Sequence, residues 1–287
     1  MTEPEGDVRT TEPDGDALMT EPGPAPGPAA AAFGVEPPPP SPPLRIERAY
    51  RVRFDEATPD GLAKTSALLG YLQDVAWRHS EVFGFPREWY AERGLAWVVR
   101  AMDVTLAASI RDGDELWVST RIVGFRRVMA RRQSELRAAD GTSAGVVVVD
   151  WAMTDGRAPV RVPGAITGIP GVERSSFVPT RVDLPPIPPG ARVLEIVPRL
   201  RELDPMGHAN NGVYLDWLDE AVTTAGGADD VRAAARRYRV EYLRAAGPGI
   251  ALRSMAWRDG TGWAWRLEDD AGDLVRGRLD PGPNRQP

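Results

Sequence analysis

The chain has 287 residues, 42% of them apolar, and a formal net charge of -6. This length is typical of about two domains, and the negative charge argues against a general nucleic-acid binder. The chain has no cysteine and two histidines, which excludes disulfides, thiolate metal sites and a cysteine nucleophile and disfavours a His-rich metal site.

The N-terminal segment has the composition of a disordered tail. TEPEGD at 2–7 nearly repeats as TEPDGD at 11–16, and proline, alanine and glycine then dominate, so residues 1–43 cannot bury a core. Residues 281–287 form a second predicted tail. The acidic N-terminus does not resemble a secretory signal, and no apolar run reaches the roughly 18 residues of a membrane span. We expect a cytoplasmic protein.

The first structured block covers residues 44–165. It opens with a strand-like run at 50–54, followed by a loop containing Pro59 and an amphipathic helix that ends near Gly84. Leu68, Leu69, Leu72, Val75 and Ala76 share one face of this helix. Four further strands are predicted at 97–107, 115–125, 130–138 and 145–153.

A Pro/Gly-rich linker, 166–190, precedes the second block, 191–280, which repeats the same order. A strand-like run at 194–200 leads to a loop containing Pro205 and to a helix that ends near Gly226. The apolar face of this helix contains Val213, Tyr214, Trp217, Leu218, Ala221 and Val222, and we expect Asp216, Asp219 and Glu220 outside. Strands are predicted at 237–244, 250–258, 262–268 and 273–279.

Two copies of a strand, a helix and an antiparallel meander predict an α+β protein with two tandem hot-dog domains. In this fold each antiparallel sheet wraps around a central helix. Pairing the two sheets edge to edge would hide open strand edges. The arrangement leaves a homodimer open.

Several segments resemble the acyl-acyl-carrier-protein (acyl-ACP) thioesterase family. In the first copy these are 94–104, 128–132 and 72–76. In the second copy, Asp204-Pro-Met-Gly-His208-Ala-Asn210-Asn211 is similar to the family motif Asp-x-Asn-x-His-Val-Asn-Asn. The Asp204 loop is equally similar to that of hydroxybenzoyl-CoA-type thioesterases, where the Asp is the essential carboxylate. The resemblance therefore implies a thioesterase but leaves the carrier open.

The resemblance implies that the second copy is catalytic, with Asp204 as base or nucleophile and His208 as acid/base or orienting group. The amides near Asn210 and Asn211, at a helix N-terminus, would supply oxyanion donors. Each residue also has a structural interpretation. Asp204 suits an ordinary turn, His208 can be a structural hydrogen-bonding group, and the two asparagines can cap the helix.

The match to the family is incomplete. Met206 stands at the family's catalytic Asn position, and the catalytic Glu and Cys after the strand at 240–242 fall, in this comparison, on Ala245 and Ala246. In the first copy Thr58 and Leu62 replace Asp204 and His208. We therefore expect the first domain to form the acyl pocket without catalysing.

Four arginines between two predicted strands form a basic cluster: Arg126, Arg127, Arg131 and Arg132. Such a cluster suits an acidic carrier protein or the phosphates of coenzyme A. It equally suits a solvated edge that discourages strand pairing between molecules.

The sequence therefore predicts hydrolysis of acyl-ACP or acyl-CoA thioesters to free acid and thiol. We expect no cofactor, metal, nucleic acid or membrane partner. Two alternatives remain: a non-catalytic acyl-thioester binding protein, suggested by Met206 and Ala245, and a hot-dog hydratase or dehydratase, which also uses histidine with a carboxylate.

Overall fold

The computed structural model describes residues 42–172 and 177–282. The first half contains β1 (Arg45–Arg51), α1 (Thr65–Val82), α2 (Arg87–Ala91), β2 (Ala96–Leu106), β3 (Glu115–Arg126), β4 (Met129–Ala138), β5 (Ser143–Thr154) and α3 (Gly164–Thr167). The second half contains β6 (Val193–Ile196), α4 (Val213–Thr224), α5 (Ala228–Arg232), β7 (Arg236–Tyr242), β8 (Leu252–Asp259), β9 (Gly262–Asp269) and β10 (Gly272–Pro281).

The strands form one ten-stranded antiparallel sheet in the order β1-β3-β4-β5-β2-β7-β10-β9-β8-β6. The second half of this order is the first half read backwards, with β6 in the place of β1 and β7 in the place of β2. The two halves join where β2 pairs with β7, from Ala101 opposite Glu241 to Leu106 opposite Arg236. This edge-to-edge pairing is the one expected from the sequence.

The two long helices, α1 and α4, pack within one hydrophobic core that draws on both halves of the sheet. Residues spaced three and four apart on α1 (Leu68, Leu69, Leu72 and Val75) are buried, as are those on α4 (Tyr214, Leu215, Trp217, Leu218, Ala221 and Val222). Burial of these apolar faces, rather than helix propensity, supplies most of the stability of such helices. The protein has the tandem hot-dog fold predicted from the sequence.

The predicted first strand of each copy is displaced. β1 ends at Arg51 and β6 at Ile196, and a short 3-10 turn follows each, at Phe54–Glu56 and Leu200–Glu202. A glutamate ends each turn, and its side chain accepts a hydrogen bond from the backbone amide of the residue that precedes the turn. The distances are 2.9 Å for Arg53 N to Glu56 Oε2 and 2.6 Å for Arg199 N to Glu202 Oε2. The predicted strand-like runs continue past the ends of β1 and β6. There this local hydrogen bond takes the place of pairing with a neighbouring strand.

The prediction for Asp216 and Asp219 was wrong. Both residues are half-buried, because α4 also packs against α1 from the other half. The Tyr238 hydroxyl donates to Asp219 at 2.9 Å. Burial raises the pKa of Asp219 to about 7, and burial also raises the pKa of Asp216. Glu220 is exposed, as expected.

The described part of the linker lies on the outer face of the sheet. Phe177 and Val182 are buried there, and Leu184 and Ile187 pack against β8 and β9. Residues 173–176 of the predicted linker, 1–41 of the predicted N-terminal tail and 283–287 of the C-terminal tail lie outside the described residues. None of the described helices is long and apolar enough to cross a membrane.

Candidate active site

The loop with Asp204 and His208 is a tight turn immediately before α4. The Asp204 amide donates to the His208 carbonyl at 2.8 Å, and the Gly207 amide donates to the Asp204 carbonyl at 2.9 Å. Gly207 has φ +79°, which a residue with a side chain rarely adopts. The turn interpretation of Asp204 therefore describes its backbone correctly.

The Asp204 carboxylate is held by its own loop. Oδ1 accepts the Met206 amide at 2.8 Å and lies 3.5 Å from the His208 amide. His208 is exposed, and within the described residues no side-chain hydrogen bond joins it to Asp204. The structure thus places both predicted residues in one loop without forming a dyad between them.

The first half contains the same loop with different side chains. Thr58 N donates to the Leu62 carbonyl at 2.8 Å and Gly61 N donates to the Thr58 carbonyl at 2.8 Å, and Gly61 has φ +77°. Since the backbones match, Thr58 and Leu62 occupy the positions of Asp204 and His208. Only the second loop therefore has an imidazole and a carboxylate at these two positions.

Asn210 fixes the start of α4. Its Oδ1 accepts the Gly212 amide at 2.9 Å in the loop before α4, and its Nδ2 donates to Gln73 Oε1 on α1 at 3.2 Å. The N-cap of α4 is Gly212, with no side-chain cap hydrogen bond, so the expectation that the two asparagines cap the helix was wrong. A Cβ on Gly212 would lie 3.1 Å from the Ser66 carbonyl oxygen, so glycine permits the close approach of the two helix starts. Gln73 is a site residue that the sequence analysis missed.

Asn211 lies where α4 meets a cavity. The Tyr242 hydroxyl donates to its carbonyl at 2.7 Å and so positions this peptide. Among the described residues no acceptor pairs with the Asn211 amide. A free N–H at the start of a helix is a suitable donor to a developing oxyanion.

The cavity consists of two chambers between α1 and the sheet of the first half. The smaller, the inner chamber, reaches Asn211 and Gly212 and includes Leu72, Met102 and Val149. The larger, the aromatic chamber, is lined chiefly by Trp77, Phe83, Phe85, Tyr90, Trp97 and Phe125. Four residues line both chambers: Gln73, Ala76, Arg132 and Trp151.

The sequence analysis treated Arg126, Arg127, Arg131 and Arg132 as one cluster, but the structure separates them. Alternate residues of β4 face opposite sides of the sheet. Arg131 faces outward and makes two hydrogen bonds to Asp150, at 2.7 and 2.8 Å. Arg132 faces the chambers. Arg126 and Arg127 are exposed, and Arg126 donates to the Phe177 carbonyl at 3.0 Å.

A different basic cleft lies on the outer face, over β5, β2 and β7. Its arginines are Arg100, Arg157, Arg181 and Arg244, and one end of it reaches Ala245. Arg181 pairs with Glu241 and Arg244 with Asp269, whereas no carboxylate among the described residues pairs with Arg100 or Arg157. These arginines come from four separate segments, so no local motif could have revealed the cleft.

Ala245 and Ala246 leave no polar side chain where the family motif would place one. Ala246 instead contributes its backbone. Its amide donates to the Tyr214 hydroxyl at 2.8 Å, and its carbonyl accepts the Ala209 amide at 2.9 Å. Burial, with a contribution from the charge of Asp204, raises the pKa of Tyr214 to about 12. Tyr214 therefore stays neutral beside the loop.

Within residues 42–172 and 177–282, no group of three or more His, Asp or Glu residues could hold a metal ion. The metal-free interpretation of the site remains a prediction.

Comparison with known proteins agrees with this architecture. Residues 43–168 match the family model of the acyl-ACP thioesterase N-terminal domain. A palmitoyl-ACP thioesterase from Cuphea hookeriana is 24% identical over 268 residues, which is 83% of this chain but 62% of that protein. The chain therefore spans less than two thirds of this relative's length.

Two solved structures share the fold over most of this chain. One is a 12:0-ACP thioesterase from Umbellularia californica, with a TM-score of 0.69, 21% identity, and coverage of 83% of this chain and 97% of that one. The other is an acyl-ACP thioesterase from Bacteroides thetaiotaomicron, with a TM-score of 0.69, 16% identity, and coverage of 83% and 97%. The first half of the chain thus matches the model of an acyl-ACP thioesterase domain, and most of the chain shares the fold of these two solved structures.

Proposed function

We propose that the protein hydrolyses acyl thioesters to a free acid and a thiol. The observation that carries the proposal is a pair of adjacent chambers that share four lining residues. They extend from the free Asn211 amide at the start of α4 into the aromatic side chains of the first half. An acyl chain can lie along this path with its thioester carbonyl at Asn211.

The proposed chemistry uses the start of α4 and the loop that precedes it in the chain. The Asn211 N–H and the positive end of the α4 dipole stabilise the oxyanion that forms when water attacks the carbonyl. Asp204 accepts the proton of that water through the carboxylate oxygen that its loop leaves free. His208 protonates the leaving thiolate, a step that suits an imidazole near neutral pH.

The chambers suit a short or medium acyl chain. Their cavity volumes are about 60 Å³ for the aromatic chamber and about 30 Å³ for the inner one. Both volumes are small, which favours a short or medium acyl chain over a long one. We expect the highest kcat/KM near an octanoyl chain.

The basic cleft supplies a binding surface for the carrier. Arg100 and Arg157 have no carboxylate partner among the described residues, and the cleft ends at Ala245 beside the catalytic loop. An acidic carrier protein or the phosphates of coenzyme A would complement this charge. Either carrier places the thioester near the second half.

A second candidate is a non-catalytic acyl-thioester binding protein. The Asp204 carboxylate accepts hydrogen bonds from its own loop, and the His208 ring is exposed and not joined to it. Both features are compatible with a loop that retains its shape after losing its activity.

The two candidates differ in release of free thiol. Octanoyl-CoA, octanoyl-ACP and octanoyl-N-acetylcysteamine should each release thiol above the uncatalysed rate, followed with a thiol reagent. Neutralising Arg100 and Arg157 together should raise KM for the CoA and ACP substrates but not for the uncharged N-acetylcysteamine thioester. Saturable binding without thiol release from any substrate would support the binding protein.

A further inference from the structure

Three of the four side chains shared by the two chambers carry hydrogen-bond donors that no acceptor in the described part of the chain pairs with. We call Gln73, Arg132 and Trp151 the waist, because they line both chambers. An acyl chain that runs from Asn211 into the aromatic chamber must pass them. A hydrocarbon chain has no hydrogen-bond acceptor for these donors.

Arg132 is the strongest donor of the waist. Its Nη1 donates to His79 Nδ1 at 2.9 Å and approaches Thr120 Oγ1 at 3.4 Å. Its Nε and Nη2 have no acceptor among the described residues, and no described carboxylate forms an ion pair with it. Burial lowers the pKa of Arg132 to about 10, so the guanidinium keeps its charge at neutral pH.

Gln73 contributes a second free donor. The Gly212 amide can only donate, so Asn210 must accept with Oδ1 and donate with Nδ2. Gln73 must then accept with Oε1, and its Nε2 amide is left without a partner among the described residues.

Trp151 contributes the third donor. Its indole Nε1 is buried and has no hydrogen-bond partner in the described part of the chain. A buried donor without an acceptor costs free energy, typically ~1–3 kcal/mol. Together with the donors of Arg132 and Gln73, the Trp151 donor forms a group around one cavity that a ligand carrying an acceptor would satisfy.

Resting on the function proposed above, we propose that the waist binds an oxygen atom carried by the acyl chain. The preferred substrates are then thioesters of oxygenated acyl groups, with a keto or hydroxyl oxygen between the thioester carbonyl and the distal alkyl segment. The aromatic chamber takes that alkyl segment. Plain saturated acyl groups of equal length are poorer substrates, because they leave charged and neutral donors unsatisfied.

The test compares matched thioesters: octanoyl-, 3-hydroxyoctanoyl- and 3-oxooctanoyl-N-acetylcysteamine. Wild-type kcat/KM should favour at least one oxygenated substrate by about 10- to 100-fold, the usual effect of a hydrogen bond to a charged group. Arg132→Met should remove this preference, lowering kcat/KM more for the oxygenated substrate than for the octanoyl one. Trp151→Phe should reduce the preference less, because its donor is neutral.

Arg121→Met is the matched control, since Arg121 is exposed and donates to Gln133 at 3.0 Å away from the chambers. It should leave the preference unchanged. Equal wild-type kcat/KM for all three substrates would overturn the proposal. So would an Arg132→Met variant that loses activity equally on all of them, since that result indicates a structural role.

Binding separates failure of this inference from failure of the hydrolase proposal. S-octyl-CoA and S-(3-hydroxyoctyl)-CoA are thioethers that cannot be hydrolysed, and calorimetry gives their Kd. Tighter binding of the hydroxylated thioether by wild type, lost in Arg132→Met, supports the waist even if no thioester is cleaved. Equal affinities in wild type contradict it.

Discussion

His79 is a neutral imidazole, and each of its ring nitrogens faces a group that can only accept or only donate a hydrogen bond. Its Nε2 lies 3.0 Å from the Pro43 carbonyl oxygen, which can only accept, and Arg132 can only donate to Nδ1 at 2.9 Å. Burial lowers the pKa of His79 to about 4, and the charge of Arg132 contributes to this. His79 is thus a buried helical histidine with a hydrogen-bond partner at each ring nitrogen.

This environment predicts a specific pH dependence of stability. Unfolded His79 takes up a proton near pH 6.5, whereas in the folded state it does so only near pH 4. Between these values the unfolded state binds more protons, so stability falls as the pH is lowered through this window. The contribution is at most about 3 kcal/mol.

His79→Gln should remove this dependence, because an amide can accept from Arg132 and donate to Pro43 without titrating. Urea unfolding of both proteins at several pH values between 4 and 7.5 measures it. The free energy of unfolding of wild type should fall further on acidification than that of the variant. Parallel curves would show that His79 is not neutral in the folded protein.

At the scale of elements, two outward-facing carboxylates hold the linker on the sheet. Asp150 on β5 accepts the Thr180 amide at 2.8 Å and pairs with Arg131. Glu241 on β7 accepts the Val182 amide at 3.0 Å and pairs with Arg181 on the linker itself. These contacts explain how an extended, proline-rich segment becomes part of the folded unit.

Asp150→Asn should therefore destabilise the protein strongly. Asp150 is 1% exposed, and removing one partner of a buried ion pair typically costs ~3–5 kcal/mol. Glu92→Gln is the control, since Glu92 pairs with Arg93 at the surface and such pairs contribute ~1 kcal/mol or less. Denaturant unfolding compares the two, and equal losses would show that Asp150 does not anchor the linker.

Periodicity and the internal repeat predicted both long helices and a strand for each of the ten observed, because burial on one face leaves a period in the sequence. They did not predict partners far apart in the chain. Gln73 and Asn210 meet only because α1 and α4 start side by side. Similarly, Arg131 and Arg132 face opposite sides of the sheet, because neighbouring residues alternate along a strand. A cluster of like charges in the sequence does not show which side each residue faces.

For the whole molecule, the two halves share one fold, and in the proposed function they have different roles. Both have a tight loop before a long helix, while the acyl chambers lie in the first half and the carboxylate–imidazole loop lies in the second. Pairing β2 with β7 brings the two halves into one sheet and one core. The proposed site therefore needs both halves, although its reactive side chains belong to one.

The most direct test is the turnover of Asp204→Asn and Thr58→Val with an octanoyl thioester. An asparagine at 204 can still accept the Met206 amide, so the loop should keep its shape while losing its base. We predict that Asp204→Asn lowers kcat by ~10²–10⁴-fold with little change in KM. Thr58→Val, the equivalent position of the first half, should leave kcat unchanged. A folded Asp204→Asn variant with wild-type kcat would contradict the account.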